Sequence, residues 1–182
     1  DLHSFPTRRS SDLEPGQGLR RNIQNDRPVI GDYGVNKEGS SDMYAKGANL
    51  LHTIRQVINS DIVFKKILRG LNKEFYHKTV DSKDVENYIS RQCGKDLSKI
   101  FDQYLRTIKI PVLEYKIKGK VVSYRWSNCI TGFNMPVKIS FGKKEQWINT
   151  TEKWQNLQLG NSYDGKTFSP NKNFYITTKK VH

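Results

Sequence analysis

The residues best spaced for chemistry lie between Gly31 and Arg55. A polar, glycine-rich stretch, Gly31 to Gly39, is followed by Ser40, Ser41, Asp42 and a lone tyrosine, Tyr44, at the start of a helical pattern. A phenol hydroxyl is a protonated hydrogen-bond donor at neutral pH. Aimed at a carbonyl under attack, it takes up negative charge developing on the oxygen, and the positive end of a helix dipole favours that charge further. Ser40, Ser41 and Asp42 all offer side-chain oxygens suited to unpaired N–H groups at a helix start. Met43, Gly47, Leu50, Leu51, Ile54, Val57 and Ile58 recur at three- and four-residue spacing and predict one buried stripe. Tyr44 and Lys46 fall beside that stripe, so Tyr44 is placed to face a cleft while its helix is anchored in a core.

Other constellations are weaker. Ser40 and Ser41 with His52 and Asp61 supply the residue types of a nucleophilic triad, but helix capping explains the serines and Asp61 better. The stretch Gly31 to Gly39 lacks the spacing and the Lys-Ser/Thr of a phosphate loop, and reads as a mobile substrate-side loop. The histidines are His3, His52, His77 and His182, with no H-E-x-x-H anywhere in the chain. Glu38 precedes Tyr44, but nothing makes it a metal ligand. Trp126, Trp147 and Trp154 among lysines could stack on nucleic acid, although alternating strands place tryptophans in cores more often.

The chain has 182 residues and a net charge of +13. Residues 111–182 hold 12 basic and 4 acidic side chains, so the excess is densest there, scattered rather than clustered. Such a balance permits an anionic partner without demanding one. No apolar run approaches membrane-spanning length. Two cysteines, Cys93 and Cys129, are too few for a disulfide framework or a zinc cluster, and their redox state stays open.

Residues 1–13 resemble the conceptual translation of a sequencing adapter; a disordered basic tail suits the same composition. Read as an artefact, they imply that the protein began further upstream. A short helix is possible from Gly18 to Ile23. After the tyrosine helix, Ser60 and Asp61 cap a second, with Phe64, Ile67, Leu68, Leu71 and Phe75 inward. Val85, Tyr88, Ile89 and Gln92 mark a third, closed by Gly94. Asp96 opens a fourth, with Leu97, Ile100, Phe101, Tyr104, Leu105 and Ile108 inward, and Pro111 stops it. The period then changes to two. Leu113 to Ile117, Val122 to Trp126, Met135 to Phe141, Trp147-Ile148, Trp154 to Leu159 and Phe174 to Thr177 read as short strands between turns. The fold class is therefore α+β, a helical unit over residues 14–110 followed by a small β-sandwich, immunoglobulin-like in spacing, over 111–182.

The segment Asp42-Met-Tyr-Ala-Lys-Gly-Ala-Asn-Leu-Leu resembles the tyrosine-bearing helix start of the aminopeptidase N family, the gluzincin zinc aminopeptidases. In that family a Tyr-x-Lys-Gly-Ala segment follows the zinc site, and its tyrosine hydroxyl points at the scissile carbonyl; Tyr44 is the matching position. The resemblance extends from Asp61 to Ile110-Pro111. It implies the tail of a thermolysin-like catalytic domain with the β-sandwich that commonly follows it. It implies peptide substrates, an oxyanion-stabilising role for Tyr44, and a secreted or periplasmic parent. The family's zinc is held by H-E-x-x-H and a downstream glutamate, none of which occurs here. The expectation is a C-terminal fragment that binds no zinc by itself, needs the missing N-terminal half of the catalytic domain, and is inactive alone. The rival from another class is a non-enzymatic basic binding module whose β-sandwich contacts nucleic acid, glycan or protein, with nucleic acid the weaker expectation. A degenerate family member kept for interaction is a third.

Overall fold

A computed structural model describes residues 20–31, 40–142, 144–160 and 168–181. Residues 1–13, His3, His182, and residues 32–39 with Glu38 lie outside them.

Four helices come first: α1 (Asp42–Ile58), α2 (Asp61–Glu74), α3 (Ser82–Cys93) and α4 (Ser98–Arg106), after a 3-10 turn at Arg20–Asn22. Ser60 and Gly94 bound α2 and α3 as the sequence predicts, and Asp81 is a further cap that the sequence reading did not single out. Ser60 accepts from the Val63 N–H, Asp81 and Asp84 form a reciprocal capping box, and α3 closes on Gly94 at φ 67°. Asp96 accepts from the Ser98 N–H at 2.9 Å.

The face α1 buries differs from the predicted stripe. Its buried residues are Asp42, Ala45, Lys46, Asn49, Leu50, Thr53, Ile54, Val57 and Ile58, whereas Met43 and Leu51 are exposed. The helix is rotated toward its polar side because each polar residue there finds a partner from elsewhere in the chain. Both Asp42 oxygens accept backbone N–H groups, from Gln24 and Asn25, and Thr53 accepts from the Tyr175 N–H. Buried polar groups with such partners lose the usual desolvation penalty. Two other expected inward residues, Leu68 and Ile108, are also exposed, and α2 buries only Ile67 fully.

Helices give way to strands after Pro111. One sheet has the order β5-β2-β1-β7, with β1 (Val112–Lys118), β2 (Val121–Ser127), β5 (Gln155–Gln158) and β7 (Thr177–Lys180). The other has the order β4-β3-β6, with β3 (Pro136–Phe141), β4 (Lys144–Asn149) and β6 (Phe168–Pro170). β1 and β2 form a hairpin with Tyr115 opposite Tyr124, turned at Gly119, whose φ of 59° suits glycine. The last strand begins at Thr177 rather than Phe174, and it pairs parallel with β1. Phe174 and Tyr175 are instead buried in the core. β6 was not legible in advance.

Leu113, Val122, Tyr124 and Trp126 from the first sheet and Val137, Ile139, Phe141 and Ile148 from the second join the helices in one apolar core. The rings of Tyr115 and Phe168 bridge the sheets with centroids 4.5 Å apart, and the Trp126 indole N–H donates to the Met135 carbonyl at 3.0 Å. The helices are tied in by polar bonds. The Tyr104 hydroxyl donates to the Tyr175 carbonyl, and the fully buried Gln103 amide joins the Lys109 carbonyl and the Ile130 N–H, both at 2.7 Å. No described helix is long and apolar enough to cross a membrane.

Candidate functional site

Tyr44 lies in the first turn of α1 and is 75 % exposed. At about 100° per residue, Asp42 and Lys46 share one side of the helix and Tyr44 stands diametrically opposite both. That opposite side is held at two points. The Asp42 carboxylate, 1 % exposed, accepts from Gln24 N–H at 2.9 Å and Asn25 N–H at 2.6 Å. The Lys46 ammonium, also 1 % exposed, donates to the Thr107 carbonyl at 2.8 Å. Burial lowers the Lys46 pKa, and the Asp42 charge one turn away partly offsets this.

Of the three capping candidates at the start of α1, Ser40 supplies the side-chain bond. The Ser40 hydroxyl, not the Ser41 side chain, accepts from the Asp42 N–H at 3.2 Å, and it donates to Asp26 at 2.9 Å. This bond is the main reason the Asp26 carboxyl titrates below its ordinary value. On the N-terminal side of residues 32–39, the Ile30 N–H donates to the Leu105 carbonyl at 2.9 Å. The end of α4 therefore receives the chain on both sides of residues 32–39, at Leu105 in its last turn and at Thr107 just beyond it.

Arg20 braces the buried face of α1, the side opposite Tyr44. Its guanidinium reaches the Asn49 side chain and the Lys172 and Phe174 carbonyls, and lies 5.4 Å from the centre of the Tyr175 ring. None of Asp42, Arg20, Thr107 or Tyr175 stood out as a site residue in the sequence. The one available signal was the Asp42–Lys46 pair, at the i, i+4 spacing that puts two charges on one helical face.

The triad suggested by residue types is not assembled. Ser40 and His52 are about three helical turns apart, roughly 18 Å along α1, and Asp61 is held by Arg55 in a two-bond pair at 2.8 and 2.7 Å. His77 follows α2 at φ 53°, its ring against Tyr76. Among the described residues no group of three or more His, Cys, Asp or Glu side chains is placed to hold a metal ion. The described side chains by themselves thus do not fit the zinc that the family resemblance implies.

The tryptophans divide. Trp126 is buried and Trp147 half-buried, but Trp154 is exposed, its ring 4.9 Å from the Lys116 ammonium and 4.7 Å from the Arg125 guanidinium.

No family model matches the chain. In sequence it is 31 % identical to aminopeptidase N of Lactococcus lactis subsp. lactis over 78 residues, 43 % of this chain and 9 % of that protein. It is 27 % identical to probable aminopeptidase 1 of Sulfurisphaera tokodaii over 81 residues, 44 % of this chain and 10 % of that protein. In structure it is similar to Legionella pneumophila aminopeptidase A, solved in complex with aspartic acid. The TM-score is 0.56 at 16 % identity, over 79 % of this chain and 18 % of that one. These likenesses fit a fragment of an aminopeptidase family. The aminopeptidase-like chain spans about a tenth of the curated relatives it matches, and the Legionella likeness speaks for the fold alone.

Proposed function

We propose that this chain is the tyrosine-bearing C-terminal part of a thermolysin-like catalytic domain, residues 14–110, followed by an immunoglobulin-like β-sandwich, residues 111–182. The whole protein would be a zinc-dependent aminopeptidase of the gluzincin type that removes N-terminal residues from peptides. The observation that carries this reading is Tyr44, exposed on a helical turn whose far side is fixed at Asp42 and Lys46, in a chain similar in sequence to two aminopeptidases. As water adds to the scissile carbonyl, charge builds on its oxygen, and the Tyr44 hydroxyl donates to it near the positive end of α1.

H-E-x-x-H does not occur in the sequence, so zinc and the general base are assigned to the rest of the parent, and this chain alone is expected to be inactive. The exposed Met43, Leu51, Ile62 and Leu68 on α1 and α2 offer that missing half an apolar seat. The test is Tyr44→Phe in the full-length enzyme. Loss of one oxyanion donor lowers kcat by roughly 100-fold or more, while the circular dichroism and melting of the protein stay unchanged because the side chain is exposed. Unchanged turnover overturns the role. Release of amino acids from aminoacyl substrates by the isolated chain overturns its inactivity.

Trp154 favours a second reading, a basic binding module. It is exposed beside Lys116 and Arg125, in a sheet that also carries Lys118 and Lys179, and stacking flanked by cations suits a single-stranded nucleic acid. Oligonucleotide binding that weakens steeply with salt and is lost in Trp154→Ala would support it. Binding indifferent to both would remove it.

A further inference from the structure

We infer that Lys46 is a positioning residue for Tyr44, fixing the first turn of α1 against the carboxyl end of α4. The inference rests on the oxyanion role proposed for Tyr44.

A buried ammonium is an expensive way to fill space. Its desolvation is offset here by one hydrogen bond, to the Thr107 carbonyl, and by the Asp42 charge one turn away. A methionine would fill the same volume with no charge to desolvate, so stability alone gives little reason for a lysine at this position. What the lysine adds is a directed bond to one point. That point is itself fixed. The Thr107 hydroxyl donates to the Gln103 carbonyl at 2.6 Å and accepts from the Lys109 N–H at 3.1 Å. Gln103 in turn holds the Lys109 carbonyl and the Ile130 N–H. Through these bonds the height of α1 is referred to the joint between helices and sheets.

Asp42 sets the second point, against the backbone at residues 24 and 25. Two anchors at i and i+4 fix both the height and the rotation of the intervening turn, and Tyr44 is the residue that turn presents outward. A side chain packed only by apolar contacts permits small slides along its neighbour. A charged donor on the carbonyl of the residue that caps α4, itself held by the Gln103 and Lys109 bonds, resists them. A shift of about 1 Å in a transition-state donor is enough to cost on the order of 100-fold in rate.

The test is a double-mutant cycle in the full-length enzyme, Lys46→Met with and without Tyr44→Phe, read as kcat and KM separately. Lys46→Met alone is expected to lower kcat roughly 10- to 100-fold with KM within about threefold, because the substrate's other contacts are untouched. Added to Tyr44→Phe, it is expected to lower kcat no further, since a misplaced donor costs nothing once the donor is gone. Losses that multiply, or an unchanged kcat for Lys46→Met beside a defective Tyr44→Phe, overturn the inference and leave the Tyr44 role standing. A fully active Tyr44→Phe overturns both. If Lys46→Met does not fold, Lys46→Gln, which keeps a shorter neutral donor, carries the same comparison.

Discussion

Tyr44 and Lys46 stand on opposite sides of the same helical turn, the phenol 75 % exposed and the ammonium 1 % exposed with its nitrogen 2.8 Å from the Thr107 carbonyl oxygen. The buried half of this turn is polar and bonded to sequence-distant backbone, whereas the half that faces outward is free to serve a ligand. Such a division suits a residue that must be accessible and yet stay in one place.

Gly70, in α2, is held small by its neighbour. A Cβ built there falls on the Tyr88 hydroxyl and 3.3 Å from Cζ, and the Tyr88 ring is buried. Gly70→Ala is therefore expected to destabilise by about 1–3 kcal/mol through overpacking, against the usual preference of helices for alanine. Gly47, in α1, meets no described residue within 4 Å, and Gly47→Ala should gain about 0.5–1 kcal/mol. Paired urea titrations of the two variants check the opposite signs.

Arg106 binds the buried Glu86 carboxylate at 2.7 and 3.2 Å and Asp102 at 3.2 Å, with Lys83 3.1 Å from both acids. Arg106→Met strands much of the Glu86 charge and should cost about 3 kcal/mol. Adding Glu86→Leu should recover part of that loss. A double variant less stable than Arg106→Met alone would show that the pair contributes more than mutual neutralisation.

Burial alone would raise the Glu114 carboxyl, but the Arg125 guanidinium, donating at 2.8 Å, holds it below its ordinary value of 4.5. A carboxyl lowered in the folded state contributes stability that is complete above its unfolded value and is lost as pH falls through the folded one. Arg125→Met should therefore be less stable than the parent chain at pH 7, with the gap narrowing as pH drops below about 4.5. Thermal melts across pH 2–7 read this directly. A constant gap would locate the effect of Arg125 in packing on Trp154 instead.

Burial and the nearby Glu152 carboxylate push the Cys129 thiol up to about 11, with Lys109 opposing. Only the thiolate alkylates. Iodoacetamide should modify Cys129 slowly at pH 8, with the rate rising about tenfold per pH unit toward pH 11. Glu152→Gln should speed it. A rate already saturated at pH 9 would contradict the burial of this thiol.

Local rules made much of the fold legible. The Ser60 cap, the glycine stop at Gly94 and the β1–β2 alternation depend on residues near in sequence, and they appear where expected. The buried face of α1 was not legible, because hydrophobicity ranks Lys46 and Thr53 as surface while partners at Thr107 and Tyr175 make them core. For the same reason the strand placed at Phe174 begins later, since Phe174 and Tyr175 leave the ladder to pack under the helices. Trp154 misleads in the opposite sense, a large apolar side chain kept outside by two cations. At the candidate site, Tyr44 was visible through its motif, but the anchors that surround it were not.

The bonds from Tyr175 to Thr53 and Tyr104, together with the parallel pairing of β1 with β7, bear on how the protein is made. On the ribosome, residues near 175 emerge long after α1, and until then Thr53 and Tyr104 lack the partners that justify their burial. The helices can form early, but they cannot be locked, and this separation in sequence makes closure slow. The middle of α1 would thus gain its full support only once the segment around residue 175 has emerged, so that a chain stopped before it carries the tyrosine helix without that support.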